Sequence, residues 1–134
     1  MKVIVPKYSG FCPGVKQAEN QILNSNKKEN LVILGHLIHN TDYITYLHSL
    51  GIETIPENAA PEKDKTAIIR THGIPIDKES VISQSNQILD LTCYKVKDLQ
   101  MKIKQASESG SFIIITGKKE HPEVLIAFHS DGAI

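Results

Sequence analysis

The chain has 134 residues, a length typical of one domain, or of one domain and part of another. Charged residues make up 22% of it, and Lys plus Arg equals Asp plus Glu at 15 each, so the formal net charge is zero. This balance excludes a large basic surface for nucleic acid or for a membrane, and any anionic ligand must therefore be held by local groups.

The amino-terminal residues favour a cytoplasmic protein. Lys7, Gly10 and Pro13 follow the first short apolar run at once, leaving no room for a signal peptide, and no run is long enough to span a bilayer. The chain has two cysteines, Cys12 and Cys93, which are far apart in a sequence without secretory features. Reduced thiols that ligate a metal or react are therefore expected rather than a structural disulfide.

Short β-branched runs alternate with helix-length amphipathic stretches, the pattern of βα units and of a parallel sheet. The predicted strands, in chain order, are Lys2–Pro6, Leu31–Leu34, Thr66–Arg70, Ile88–Leu91 and Phe112–Thr116. The predicted helices are Val15–Leu23, Asp42–Leu50 and Val96–Ala106, in which apolar residues recur at helical spacing. The segment Ile55–Lys65, with two prolines and several polar residues, is predicted to be a solvated loop. The fold class is therefore α/β, a parallel sheet with flanking helices.

Reactive side chains follow each of the predicted strands. In chain order they are Cys12, His39, His72, Cys93 and the pair His121 and Glu123. The carboxyl ends of parallel strands meet at one edge of a sheet, which is where ligands bind in open α/β sheets. We therefore expect two thiols, three imidazoles and one carboxylate to converge.

This set of side chains fits two kinds of ligand. Thiolates hold iron–sulfur clusters or zinc, whereas imidazoles and helix amino termini suit phosphate. A zinc site made of Cys12, Cys93 and two histidines stays open, although no Cys-x-x-Cys or His-x-x-x-His spacing supports it. Gly10 and Gly14 allow a tight turn around Cys12, and the helix that follows favours its thiolate form.

Five segments surround the candidate residues: Gly10-Phe11-Cys12-Pro13-Gly14-Val15, Ile38-His39-Asn40, Thr71-His72-Gly73, Thr92-Cys93 and His121-Pro122-Glu123-Val124. In their order and approximate spacing they resemble the amino-terminal portion of the 4-hydroxy-3-methylbut-2-enyl diphosphate reductase family. The resemblance implies a reductase that removes a hydroxyl from an allylic diphosphate to give isopentenyl and dimethylallyl diphosphate in non-mevalonate isoprenoid biosynthesis. It implies a [4Fe–4S] cluster held by three cysteines, and an electron donor such as ferredoxin or flavodoxin.

The resemblance assigns a role to each candidate residue. Cys12 and Cys93 match two of the cluster ligands, and His39 and His72 match histidines that bind the substrate diphosphate. His121 matches a third histidine near the substrate, and Glu123 matches the carboxylate that delivers a proton. The family fold has three similar α/β domains around the cluster, so residues 1–94 would form the first domain and residues 95–134 the beginning of the second.

The chain departs from the family pattern in three ways. The family's third cysteine, and the Thr, Asn and Ser residues that complete its pocket, come from a later part of a longer chain. Tyr94 stands where proline usually follows the second cysteine, and residues 125–130 replace the small, Gly-containing continuation expected after Val124. These departures predict that this chain alone does not catalyse the reaction, and a non-catalytic remnant or a diphosphate-binding module stays as the alternative. The incomplete second domain would expose apolar residues unless they dock on the first domain or pair with another chain, which predicts a dimer or other self-association through residues 95–134. These residues are Ile113, Ile114, Ile115, Leu125, Ile126 and Phe128.

Each candidate also has a structural interpretation. A reduced cysteine is often a small core residue. His36 and His48 are interpreted as surface or packing histidines. His121, Pro122 and Glu123 are also the residues expected at the start of a helix, with proline in its first turn and glutamate at its positive end.

Overall fold

The structure is a computed structural model that describes residues 2–7, 9–119 and 121–129, with only the backbone described at 128 and 129. The last five residues of the expected second domain, 130–134, lie outside the described residues. No helix in the described ranges is long and apolar enough to cross a membrane.

The described strands form one fully parallel sheet, as the α/β prediction requires. The strands are β1 (Leu31–Leu34), β2 (Glu53–Ile55), β3 (Thr66–Ile69) and β4 (Gln87–Asp90), in the spatial order β2-β1-β3-β4. In the register of the sheet, Ile33 of β1 lies between Thr54 of β2 and Ile68 of β3. Because β1 and β3 are the central strands, their carboxyl ends meet where the strand order reverses, a position that suits a ligand site.

Five α-helices accompany the sheet in the described part of the chain. They are α1 (Pro13–Leu23), α2 (Thr41–Ser49), α3 (Ile76–Ser83), α4 (Tyr94–Glu108) and α5 (Pro122–His129). The predictions of α1, α2 and α4 are confirmed to within two residues at each end. Asn40 is the N-cap of α2, and its side-chain oxygen accepts a hydrogen bond from the Tyr43 amide at 2.9 Å.

The core lies on both faces of the sheet. On one face Ile33 and Ile68 pack with Ile22 of α1 and Leu47 of α2, all buried. On the other face a second buried cluster comprises Leu34, Ala67, Ile69, Ile74 and Ile82. Burial on both faces explains why β1 and β3 are continuous apolar runs instead of alternating ones. Such runs were easy to recognise in the sequence.

Two of the five predicted strands are wrong. Lys2–Pro6 and Phe112–Thr116 are described but form no strand, and their side chains reach into solvent, with Val3 69%, Ile4 78% and Phe112 92% exposed. Apolar β-branched residues favour an extended backbone locally. A strand also needs a neighbour to satisfy its amides and carbonyls, and no described strand pairs with either segment.

The strand β2 and the helix α3 were not predicted, and of α5 only the start was expected, at His121, Pro122 and Glu123. β2 is only three residues long and its Glu53 is exposed, so its sequence does not differ from that of a loop. Its last residue, Ile55, lies in the segment predicted to be a solvated loop. α3 has just one buried residue, Ile82, and its exposed Ile76 and Val81 blur the periodicity on which a helix prediction depends.

Candidate functional site

A cavity of about 500 Å³ opens at the carboxyl edge of the sheet. Five of the six predicted site residues line it: Cys12, His39, His72, Cys93 and Glu123. The expected convergence is therefore seen for these five. His121 lies beside the cavity, with its ring centroid 6.2 Å from that of His72.

Three of these residues reach the cavity in the way the sequence predicted. His39 follows β1, His72 follows β3 and Cys93 follows β4. The parallel pairing of β3 and β4 continues past the strands, because the Leu91 amide donates to the Ile69 carbonyl and the Cys93 amide donates to the Thr71 carbonyl, both at 2.9 Å. The segments that carry His72 and Cys93 are thus held side by side.

Cys12 and Glu123 reach the cavity by a different route from the predicted one. The strands expected before them are not formed, and both residues lie instead at helix amino termini. Cys12 is the N-cap of α1, and Glu123 lies in the first turn of α5. The helices are positioned by their own packing: Ala18 and Ile22 bury one face of α1, and Ile126 of α5 packs over Gly73.

Both cysteines occupy N-cap positions, Cys12 before α1 and Cys93 before α4. In the described residues neither helix has a side-chain hydrogen bond at its N-cap. The two helix starts are close, since a Cβ built on Gly14 would lie 3.1 Å from Cys93 Sγ. Both thiols are free, Cys12 exposed and Cys93 half-buried. Helix amino termini stabilise anions, so both positions suit a thiolate.

An aromatic contact ties the Cys12 loop to the His39 loop. The rings of Phe11 and Tyr43 meet edge to face with centroids 5.7 Å apart. Phe11 precedes Cys12, and Tyr43 lies in the first turn of α2, just after His39 and Asn40. A rigid aromatic pair of this kind holds the two loops together.

A hydrogen-bonded group joins the third predicted histidine to the site. His72 Nδ1 lies 3.3 Å from Glu123 Oε1, and the Glu123 amide donates to His121 Nδ1 at 3.3 Å. His121 therefore also serves as the cap of α5, so the structural interpretation is correct for that residue. The contact with Glu123 uses His72 Nδ1, so His72 Nε2 is the ring nitrogen that can face a ligand.

Arg70 is a site residue that the sequence reasoning missed. It lines the cavity, its side chain is only 8% exposed, and its guanidinium pairs with Glu57. Arg70 Nε is buried and has no hydrogen-bond partner among the residues that the structure describes. Lys78 lies near this pair: burial lowers the pKa of Lys78, Glu57 opposes that shift and Arg70 adds to it. Its position directly after the apolar run of β3 could have indicated in the sequence that Arg70 belongs to the site.

His36, interpreted as a packing or surface histidine, is also part of the cavity lining. Its ring lies 6.0 Å from that of His39, centroid to centroid. The lining therefore has an imidazole and guanidinium side, made of His36, His39, Arg70 and His72, and a thiol side made of Cys12 and Cys93.

The thiol and imidazole groups do not form a mononuclear metal site in the described part of the chain. Among the residues that the structure describes, no three His, Cys, Asp or Glu side chains are arranged to hold a metal ion. The tetrahedral zinc site of two cysteines and two histidines is therefore not formed. The two thiols both lie at helix amino termini and both line the cavity, and thiolates are the ligands that iron–sulfur clusters require.

The fold and the cavity define an α/β protein with a thiol and imidazole site at the switch point of a parallel sheet. The model of the LytB protein family matches residues 3–131, and the chain belongs to that family.

Named relatives agree with this membership. The chain is 40% identical over 126 residues to the 4-hydroxy-3-methylbut-2-enyl diphosphate reductase of Campylobacter hominis, covering 92% of this chain and 45% of that protein. It is 34% identical over 133 residues to the protein of the same name from Petrotoga mobilis, covering 93% and 46%. The chain thus spans about half the length of the curated relatives it matches.

Solved structures show the same fold. A structure described as (E)-4-hydroxy-3-methyl-but-2-enyl diphosphate reductase, the terminal enzyme of the non-mevalonate pathway, superposes with a TM-score of 0.82 at 33% identity, covering 98% of this chain and 48% of that one. The Plasmodium falciparum reductase superposes with a TM-score of 0.75 at 21% identity, covering 94% and 41%, and supports the fold alone.

Proposed function

We propose that this chain carries the diphosphate-binding side, and two of the cluster-ligating thiolates, of a 4-hydroxy-3-methylbut-2-enyl diphosphate reductase. The observation that carries the proposal is the single cavity lined by Cys12, His39, His72, Cys93 and Glu123. Relatives that bear this name match almost the whole of the chain, which supports the assignment.

Cys12 and Cys93 are the proposed ligands of a [4Fe–4S] cluster. When bound, such a cluster supplies electrons for the reduction, drawn from a donor such as ferredoxin or flavodoxin. The chain contains two cysteines, so a cluster held by three thiolates needs one more from another polypeptide segment. We therefore expect this chain alone to be inactive.

The imidazole and guanidinium side of the cavity is proposed to bind the allylic diphosphate. His39 and His72 both line it, and Arg70 adds a guanidinium group, whose planar donors match phosphate oxygens. Because His72 Nδ1 bonds to Glu123, His72 Nε2 is the atom available to a phosphate oxygen. Guanidinium and imidazolium groups form strong charge-assisted hydrogen bonds with phosphate.

Glu123 is proposed to deliver a proton to the substrate. Its carboxyl group lines the cavity and is 37% exposed, so it can take up a proton from solvent and present it to a bound ligand. His72 and His121 flank Glu123, and both hydrogen bonds orient it from fixed positions.

A diphosphate-binding module without catalysis is the second candidate. It is favoured by the imbalance between the two sides of the cavity: the anion-binding side has three imidazoles and an arginine, whereas the thiol side has two cysteines. On this alternative, the histidines bind a diphosphate and no cluster assembles.

Iron analysis separates the two candidates. We expect anaerobic reconstitution to give iron, acid-labile sulfide and an electron paramagnetic resonance signal after reduction if Cys12 and Cys93 ligate a cluster. Reconstituted protein without iron, combined with inorganic pyrophosphate binding that a His72→Ala variant loses, would support the module. If the protein binds neither iron nor pyrophosphate, both candidates are contradicted.

The domain boundary near residue 94 and self-association through the later segment are also proposed. Phe112 and Ile114 are 92% and 77% exposed, as a contact surface would be before assembly. Light scattering coupled to size-exclusion chromatography should give a mass above 14.9 kDa at high concentration. A Phe112→Ser and Ile114→Ser double variant should shift the protein towards monomer, and a purely monomeric unmodified chain would refute the idea.

A further inference from the structure

The carboxylate of Asp90 contacts the chain on both sides of Cys93. Asp90 Oδ1 accepts hydrogen bonds from the Thr92 amide at 2.9 Å and from the Thr92 hydroxyl at 2.5 Å. Asp90 Oδ2 pairs with Lys97 Nζ, one turn into α4. One side chain at the end of β4 thus holds both the residue before Cys93 and the first turn of the helix after it.

These side-chain contacts complete a set of backbone bonds around Cys93. The Cys93 amide donates to the Thr71 carbonyl at 2.9 Å, and the Lys97 amide donates to the Cys93 carbonyl at 3.1 Å. The Thr92 side chain also packs against Gly73, since a Cβ built there would lie 3.4 Å from Thr92 Cγ2. The backbone of Cys93 is therefore fixed on both sides and through both of its own peptide groups.

We infer that Asp90 is a positioning residue for Cys93, setting the place of its thiol in the cavity by joining Thr92 to the start of α4. This inference rests on the proposed function, in which Cys93 acts as a ligand. Although burial opposes ionisation, the hydrogen bonds from Lys97 and Thr92 lower the pKa of Asp90, so the carboxylate is charged at neutral pH and keeps both contacts.

Positions of ligands matter because a metal is bound tightly only when its ligands are already in place. Removing a group that orients a metal ligand typically weakens metal binding by roughly 10- to 100-fold. Asp90 side chain is 29% exposed and Lys97 is 50% exposed, so solvent weakens their pair and the lower end of that range applies.

Cadmium binding to the reduced, metal-free full chain tests the inference without iron or catalysis. Cd²⁺ prefers thiolates and gives a charge-transfer absorption on binding them, which separates thiolate sites from histidine sites. The affinity of Cd²⁺ is measured by titration of that band. Titrations are run well below the lowest melting temperature in the set, so that only folded protein is compared.

Three variants separate the contacts. Asp90→Ala removes both, Asp90→Asn keeps an acceptor for Thr92 but loses the charge opposite Lys97, and Lys97→Met removes the ion pair alone. Lys102→Met is the matched control, because Lys102 pairs with Asp98 at 2.6 Å on the same helix but farther from Cys93. Cys12→Ser tests whether the two thiols share one site.

We expect Asp90→Ala to weaken Cd²⁺ binding about tenfold, Asp90→Asn and Lys97→Met to weaken it less, and Lys102→Met to leave it unchanged. If the Asp90→Ala variant binds Cd²⁺ as tightly as the unmodified chain does, while the Cys12→Ser variant binds it more weakly, the inference about Asp90 is wrong and the proposed function still stands. An equal loss in Lys102→Met would also overturn it. If the Cys12→Ser variant binds Cd²⁺ as tightly as the unmodified chain does, both the inference about Asp90 and the proposed function are wrong, because the two thiols then do not share a site.

Discussion

Glu57→Ala should destabilise the protein more than removal of the whole Arg70–Glu57 pair. The Arg70 side chain is 8% exposed, and within the described ranges its Nε has no hydrogen-bond partner and its guanidinium pairs with Glu57. Breaking a buried pair by removing one partner costs about 3–5 kcal/mol. Glu57 is 35% exposed, so water can enter the space it leaves, and we expect about 2–3 kcal/mol.

The control is the double variant Arg70→Met with Glu57→Ala. It leaves no buried charge, and replacing a buried ion pair by apolar groups is often close to neutral. Urea unfolding followed by far-ultraviolet circular dichroism measures both free energies, and the melting temperature of Glu57→Ala should fall by roughly 10 °C. If Glu57→Ala loses less than about 0.5 kcal/mol, or if the double variant is the less stable one, the reasoning from a buried, uncompensated guanidinium is wrong.

Three further perturbations have defined outcomes. The pKa of Asp90 is lower in the folded protein than the ordinary value of 3.8. The contribution of its carboxylate to stability is therefore present above pH 3.8 and is lost as the pH falls through the folded pKa. In urea titrations, the loss of stability caused by Asp90→Asn should become smaller below pH 3.8. Gly35→Ala should cost more than Gly110→Ala by thermal unfolding: both glycines have a positive φ, but a Cβ at Gly35 would lie 3.0 Å from Arg70 Nε, whereas one at Gly110 meets nothing within 4 Å. Ile68→Ala, at a fully buried site in a central strand, should cost about 2–5 kcal/mol in urea unfolding, and a loss below about 1 kcal/mol would mean that the sheet centre repacks freely.

The central part of the fold could be predicted because its residues are buried on both sides. Leu31–Leu34 and Thr66–Ile69 are short, mostly apolar runs of the kind found in a parallel sheet that is covered on both faces. Lys2–Pro6 and Phe112–Thr116 contain similar apolar runs but form no strand. Local composition reports the preference of a segment, but the presence of a neighbouring strand is a property of the whole chain.

Most of the candidate site could also be predicted, although partly for the wrong reason. Cys12 and Glu123 were expected at strand ends, and they reach the cavity from the starts of α1 and α5. Strand ends and helix starts adjoin in βα units, so the two arguments give the same location. Arg70 was missed because a charged residue after a strand is usually solvated, and only the structure shows that it is buried and paired.

The cysteines at the N-caps of α1 and α4 make helix stability depend on what the cavity holds. Serine or aspartate at such a position typically stabilises a helix by about 1 kcal/mol through a side-chain acceptor, and in the described residues Cys12 and Cys93 make no such bond. An anion that accepts from those first-turn amides would complete both helices at once. Binding and folding then share one equilibrium, in which a ligand at 100 times its Kd adds about 2.7 kcal/mol to the free energy of unfolding. An anion bound at these helix starts should therefore raise the melting temperature of this protein.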